Sequence, residues 1–101
     1  MRLIVLFNLK PGVDPRAYER WARETDIPGV RALGSVESFR VHRVTGLLGS
    51  EASAPFAYAE TIDVAGLEPF LADVASEAVQ KMAAEFQSFA DNPVFLLTED
   101  L

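Results

Sequence analysis

The sequence predicts an α+β fold whose segments follow the order β-α-β-β-α-β. Three observations carry that reading. Runs rich in β-branched, aromatic and other apolar residues stand near both ends and in the middle of the chain. Between them lie stretches whose apolar residues recur at helical spacing. Turn-forming clusters ("KPGVDP", "DIPGV", "GLLGSEASAP") separate the two kinds. The chain has 101 residues, half of them apolar, which is enough for one packed core and too short for a second, so residues 1–101 are expected to form a single domain.

The first strand, residues 2–10, is apolar at almost every position through Leu3, Ile4, Val5, Leu6 and Phe7, a pattern that expects cover on both faces. Asp14 then offers a helix N-cap and Pro15 a first helical position, where its missing N–H costs nothing. The helix that follows carries Ala17, Tyr18, Trp21, Ala22 and Thr25 on one stripe. "DIPGV" is expected to stop it, because a residue before proline avoids helical backbone.

A second strand is expected over residues 35–45 and a third over "FAYAETID", where large residues alternate with small ones. Residues 64–90 read as two helical pieces. Leu67, Phe70, Leu71 and Val74 form one stripe; Val79, Met82, Ala83, Phe86, Phe89 and Ala90 form the other, with Ser76 as its cap. Asn92-Pro93 should end the helix before the last strand, "VFLLTE". This is the split βαβ, ferredoxin-like arrangement, with a four-stranded antiparallel sheet. Helices cover one face of that sheet. The other would be an apolar liability in a monomer, so a homodimer through the sheet face, forming a two-subunit α/β barrel, is expected.

Composition narrows the function. A net charge of −6 disfavours nucleic acid, which wants a basic face. Without cysteine there is no disulfide framework and no thiolate nucleophile or metal ligand. A single histidine and scattered acidic residues give no metal-binding spacing. No apolar run is long enough to cross a bilayer, and "MRLIVLFNLK" is too short for a signal peptide, so a cytoplasmic protein without membrane attachment is expected.

"SFRVHRVTG", residues 38–46, holds that histidine between two arginines. A hairpin centred near Ser50 would pair His42 with Tyr58 and Arg40 with Glu60, all on one face. Asn8, Tyr18 and Trp21 could approach the same cavity. Such a set suits proton transfer on a flat organic molecule. His42 would be general acid/base, Tyr58 or Arg40 the stabiliser of negative charge on oxygen, and Tyr18 with Trp21 a stacking wall. Glu60 could orient Arg40. Each residue also has a plainer reading: a surface histidine, core aromatics, a cross-strand ion pair, and turn hydrogen bonds from Asn8. Arg43, on the other face from His42, is expected in solvent or at the dimer interface. A one-residue slip in register would undo the grouping.

Taken together, "YERWARETDIPGVRALGSVESFRVHRVTG", "AYAETIDV" and "VQKMAAEFQSFADNPVFLLTE" resemble the RedY/HapK-like family, associated with prodigiosin-type tripyrrole and bisindole pathways. The resemblance covers nearly the whole chain. It implies a dimeric α/β barrel of ferredoxin-like subunits, and relatives that act on aromatic pyrrole or indole intermediates without a bound cofactor. It also implies His42 as the candidate acid–base residue, with Tyr18, Trp21, Tyr58 and Glu60 lining the pocket. The function expected is a cofactor-independent cyclase or isomerase acting on a small pyrrole-, indole- or polyketide-like aromatic molecule. Its rivals are a protein that binds or chaperones a hydrophobic intermediate without chemistry, and a cofactorless monooxygenase of the same barrel type.

Overall fold

Strands β1 (Arg2–Leu9), β2 (Val36–Arg43), β3 (Tyr58–Val64) and β4 (Ala90–Thr98) make one antiparallel sheet in the computed structural model, which describes residues 1–101. Their spatial order is β2-β3-β1-β4, the ferredoxin-like order. Burial alternates along the central strands. Leu3, Val5 and Phe7 of β1 and Tyr58, Glu60, Ile62 and Val64 of β3 are buried on one face. Ile4 and Leu6 are half-buried on the other.

The helices lie against the first of these faces. Asp14 caps α1 (Pro15–Trp21) by accepting from the Arg16 N–H at 2.9 Å, and Ser76 caps α4 (Glu77–Phe89) through the Val79 N–H. Between those caps run α2 (Ile27–Arg31) and α3 (Leu67–Val74). Phe7 is the centre of the joint between the layers. Its ring stacks on Tyr58 (5.5 Å between centroids) and meets Tyr18 and Phe86 edge-on. No helix is long and apolar enough to cross a membrane.

The chain departs from the sequence-based expectation at three places. "DIPGV" does not stop the first helix. The chain instead widens into a π-helical turn, Ala22–Asp26, in which the Ile27 N–H bonds Ala22 five residues back, and then continues as α2. Pro28 has no N–H to give, and its ring would press on the preceding turn of an α-helix; the wider turn relieves that pressure without ending the helix. Asn92-Pro93 does not mark the helix end either. The helix stops at Phe89, and Asn92 sits inside β4 at φ 44°, beside a register shift opposite Leu6 and Asn8. Asparagine tolerates that left-handed conformation, and Pro93 lies on an edge strand, where a missing donor costs little.

The third departure decides the location of the site. β2 and β3 pair Arg40 with Thr61, Val41 with Glu60, His42 with Ala59 and Arg43 with Tyr58. That is one residue off a hairpin centred on Ser50. Residues 44–57 form a long connection, not a tight turn, so the loop does not set the register. Burial does: Phe39 and Val41 must share the helix-covered face with Tyr58, Ile62 and Val64. His42 and Arg40 therefore lie on the face opposite Tyr58 and Glu60, and the expected four-residue grouping does not form.

This register makes a direct prediction. Phe39→Ala should cost about 3–5 kcal/mol, whereas Arg40→Ala, exposed and without a side-chain partner, should stay within about 0.5 kcal/mol. Urea denaturation of both variants checks this; equal losses would contradict the assigned faces.

Candidate functional site

α1 and the π turn stand off from β2 and β3 and leave a cavity of about 250 Å³. Tyr18, Ala22, Ile27, Val41 and Tyr58 form its walls, and Glu19, Arg23 and Arg43 line its mouth. The same-face rule explains the sheet side: Val41, Arg43 and Tyr58 project inward because Phe39 does. Helical spacing explains the other side, where Tyr18, Ala22 and Asp26 follow one another every fourth residue and all three are buried.

At the mouth the polar groups satisfy one another. Arg43 Nε donates to Glu19 Oε2 at 2.9 Å, Arg43 Nη2 reaches Glu19 Oε1, and Tyr58 Oη donates to Glu19 Oε2 at 2.7 Å. Arg23 approaches the same carboxylate at 3.5 Å. The Arg43 hydrogen bonds, then that of Tyr58, hold the Glu19 carboxyl down at about 2. Burial, with the hydrogen bond to Glu19, pushes the Tyr58 phenol up to about 12.

Further in, the polar groups are not satisfied. Tyr18 is 0% exposed and Glu60 5% exposed, yet Tyr18 Oη and Glu60 Oε2 have no hydrogen-bond partner. Glu60 lies directly across from Val41 and two residues from Tyr58, both of which line the cavity. Burial, reinforced by the Asp26 charge, pushes the Glu60 carboxyl up to about 8. Burial alone pushes Asp26 up to about 6. The Tyr18 phenol is raised further still, first by burial and then by the charges of Glu60 and Asp26. An unpaired buried polar group costs roughly 1–3 kcal/mol, so this arrangement is expensive for a domain of this size. The cluster brings two carboxyls and a phenol together, groups able to give and take protons.

Of the residues singled out in the sequence, Tyr18, Tyr58 and Glu60 come together here. His42 does not. It is exposed on the open face, with Nε2 3.4 Å from Thr61 Oγ1, in a polar hollow shared with Arg40, Ser38 and the Arg2–Asp63 ion pair. Trp21 turns toward α4, where Nε1 donates to Glu85 and the indole lies against Phe86 and Phe89. Asn8 is spent on the long connection: Nδ2 donates to Pro55 O at 3.0 Å and Oδ1 accepts from Ala57 N at 2.9 Å. Glu19, Asp26 and Arg43 were not singled out as site residues. Arg43 could have been, since apolar Phe39 and Val41 already mark the odd-numbered residues of that strand as inward. Asp26 could have been as well, since it continues the four-residue spacing of Tyr18 and Ala22. No set of three or more histidine and acidic side chains is placed to hold a metal ion.

Over residues 1–101 the chain matches the family described as REDY-like protein HapK. It belongs to that family. Among solved structures it is similar to HapK from Hahella chejuensis, at 27% identity and TM-score 0.77, over 100% of this chain and 93% of that one. The hydroxynitrile lyase from Passiflora edulis shares the fold at 16% identity and TM-score 0.79, covering 99% and 94% of the two chains. A protein from Thermobifida fusca described as dimeric and ferredoxin-like does so at 20% identity and TM-score 0.73, covering 94% and 85%. No match was found among curated proteins.

The raised Glu60 carboxyl of this HapK-family chain ties stability to pH. Its folded value lies above its ordinary 4.5, so the stability it contributes is full below that value and is lost as pH rises toward about 8. Glu60→Gln, which cannot ionise, should therefore gain on the wild type between pH 5 and pH 8, by about 1 kcal/mol or more. Thermal unfolding at the two pH values checks this; a constant difference would mean that Glu60 ionises as freely folded as unfolded.

Proposed function

We propose that this chain is a cofactor-independent enzyme that cyclises or isomerises a small aromatic, pyrrole-, indole- or polyketide-like molecule by acid/base catalysis in the cleft between the helices and the sheet. The observation that carries the reading is the pair of buried, unpartnered polar atoms, Tyr18 Oη and Glu60 Oε2, beside an aromatic-walled cavity. Glu60 is the acid/base group in place of His42. Neutral at pH 7, it gives its proton to the substrate as a bond rearranges, and the carboxylate left behind takes a proton back from the product. Isomerisation by this route consumes no reagent. Tyr18 donates to the substrate oxygen on which negative charge develops. Tyr58 and Arg43, braced by Glu19, position the substrate at the mouth. The hydroxynitrile lyase from Passiflora edulis supports the reading only as an enzyme on this fold, since a fold does not choose a reaction.

The mouth favours a second reading, in which the protein sequesters a hydrophobic intermediate unchanged. Glu19, Arg43 and Tyr58 already satisfy one another there and need no substrate. That protein would bind its ligand equally well after Glu60→Gln and release no product.

Incubation of the pure protein with indolic, pyrrolic and quinonoid compounds, read by mass spectrometry, tests both. The expected outcome is conversion of at least one compound with its mass unchanged or lowered by water, and without oxygen; an oxygen requirement would point to a monooxygenase. Glu60→Gln should slow turnover by about 10²–10⁴-fold, while His42→Ala keeps it. Wild-type turnover in a folded Glu60→Gln variant would refute the mechanism.

The working unit proposed is a homodimer joined through the open sheet face. Support comes from β4, where Val94 and Leu96 remain exposed beside Ile4 and Leu6 on that face, and from a neighbour described as dimeric. Leu96→Lys should weaken association by at least about tenfold, measured by sedimentation equilibrium; an unchanged constant, or a monomeric wild type, would exclude this interface.

A further inference from the structure

Glu19, Arg43 and Tyr58 border two cavities. Beside the inner one of about 250 Å³ lies an outer one of about 440 Å³, walled by Leu9, Val13, Pro15, Val44 and Ala57. The two follow one another along both sides. On the helical side, Pro15 lines the outer cavity, Glu19 both and Arg23 the inner one, a single stripe at four-residue spacing. On the strands the same order runs from Val44 and Ala57, through the paired Arg43 and Tyr58, to Val41. The cavities are successive lengths of one groove, bridged midway by the hydrogen bonds to Glu19. We propose that the outer cavity is a second subsite of this groove, and that the ligand is an extended molecule of two aromatic ring systems, one in each cavity. This rests on the reading of the inner cavity as the place where a small aromatic molecule binds.

Size supports the extension. Pockets that bury a drug-sized ligand run to about 300–1,000 Å³. The inner cavity alone falls short of that range, and the two together fall within it. The outer walls suit a ring rather than a charge. Leu9, Val13, Val44 and Ala57 are each only half-buried, so a ring laid on them would take further apolar surface out of water.

The outer walls are also fixed in advance. The Val44 N–H donates to Ala57 O at 2.8 Å, which carries the β2–β3 pairing one step past Arg43. Asn8 Oδ1 accepts from Ala57 N at 2.9 Å and Nδ2 donates to Pro55 O at 3.0 Å, tying the end of the long connection to β1. The Val13 N–H donates to Lys10 O at 3.1 Å and closes the turn before α1. A surface held in this way loses little freedom when a ligand binds. At the bridge, the Glu19 side chain is 15% exposed and that of Arg43 60%. The joint between the two ring systems therefore crosses on the Arg43 side, where a guanidinium plane can carry an aromatic ring.

Isothermal titration calorimetry of the full chain tests this with indole and 3-benzylindole, which adds a second ring through one carbon. The wild type should bind 3-benzylindole at least about tenfold more tightly than indole. Val13→Trp and Val44→Trp both fill the outer cavity, and both are made so that a packing failure in one leaves the other. Either folded variant should lose most of that advantage and bind indole as the wild type does. Equal wild-type affinities, an advantage that survives in a folded variant, or no measurable binding of either compound would overturn the proposal. Calorimetry reads binding without turnover, so the two readings fail separately. Equal affinities with a slow Glu60→Gln enzyme remove only the outer subsite; the expected affinities with unimpaired Glu60→Gln turnover remove only the acid/base mechanism.

Discussion

Phe39 and Val41 have to be buried against the helices, and on an alternating strand that requirement leaves no freedom for their neighbours. Once those two side chains face inward, Arg43 faces inward with them, and Arg40 and His42 face out. The long connection between β2 and β3 imposes no competing geometry. The partner strand obeys the same rule, so Tyr58, Glu60 and Ile62 enter the interlayer space together. The sheet side of the cavity, Val41, Arg43 and Tyr58, follows from apolar burial on two adjacent strands, with no separate instruction for a site.

The interlayer space then divides into two electrostatic zones. At its mouth, Glu19, Arg43 and Tyr58 form a closed set of hydrogen bonds, and the Glu19 carboxyl is held far below its ordinary value. Further in, Glu60 and Tyr18 are buried with no partner for Glu60 Oε2 or Tyr18 Oη, and Asp26 is buried without a cation. The first arrangement stabilises the fold. The second costs stability, which the aromatic joint of Phe7, Tyr18, Tyr58 and Phe86 offsets through burial and edge-on packing. The orphaned polar atoms and the irregular helical turn both lie on the helix-covered side of the sheet.

The open face has a different character. β2 and β3 give it Ser38, Arg40, His42 and Thr61, while β1 and β4 give it Ile4, Leu6, Val94 and Leu96. Half of that face is polar and already partly paired through Arg2, Asp63 and Ser38; the other half is apolar, half-buried on β1 and exposed on β4. His42 belongs to the polar half, beside Thr61 and the Arg2–Asp63 ion pair.

The sequence alone determined the element order, the two helix caps at Asp14 and Ser76, and the ferredoxin-like class, because these rest on local signals: periodicity, turn residues and capping groups. It also picked out Tyr18, Tyr58 and Glu60 as members of one site. It did not determine which of the remaining polar residues join them. Those depend on a register set by burial across strands distant in sequence, and on a π turn produced by Pro28 meeting a helix that tertiary packing keeps going. Only the folded chain decided that Tyr58 and Glu60 share a face with Arg43 and not with His42. Side-chain direction on a strand reverses with each residue, so a pairing error of one position, invisible to local pattern, exchanges the inside of the protein for its surface.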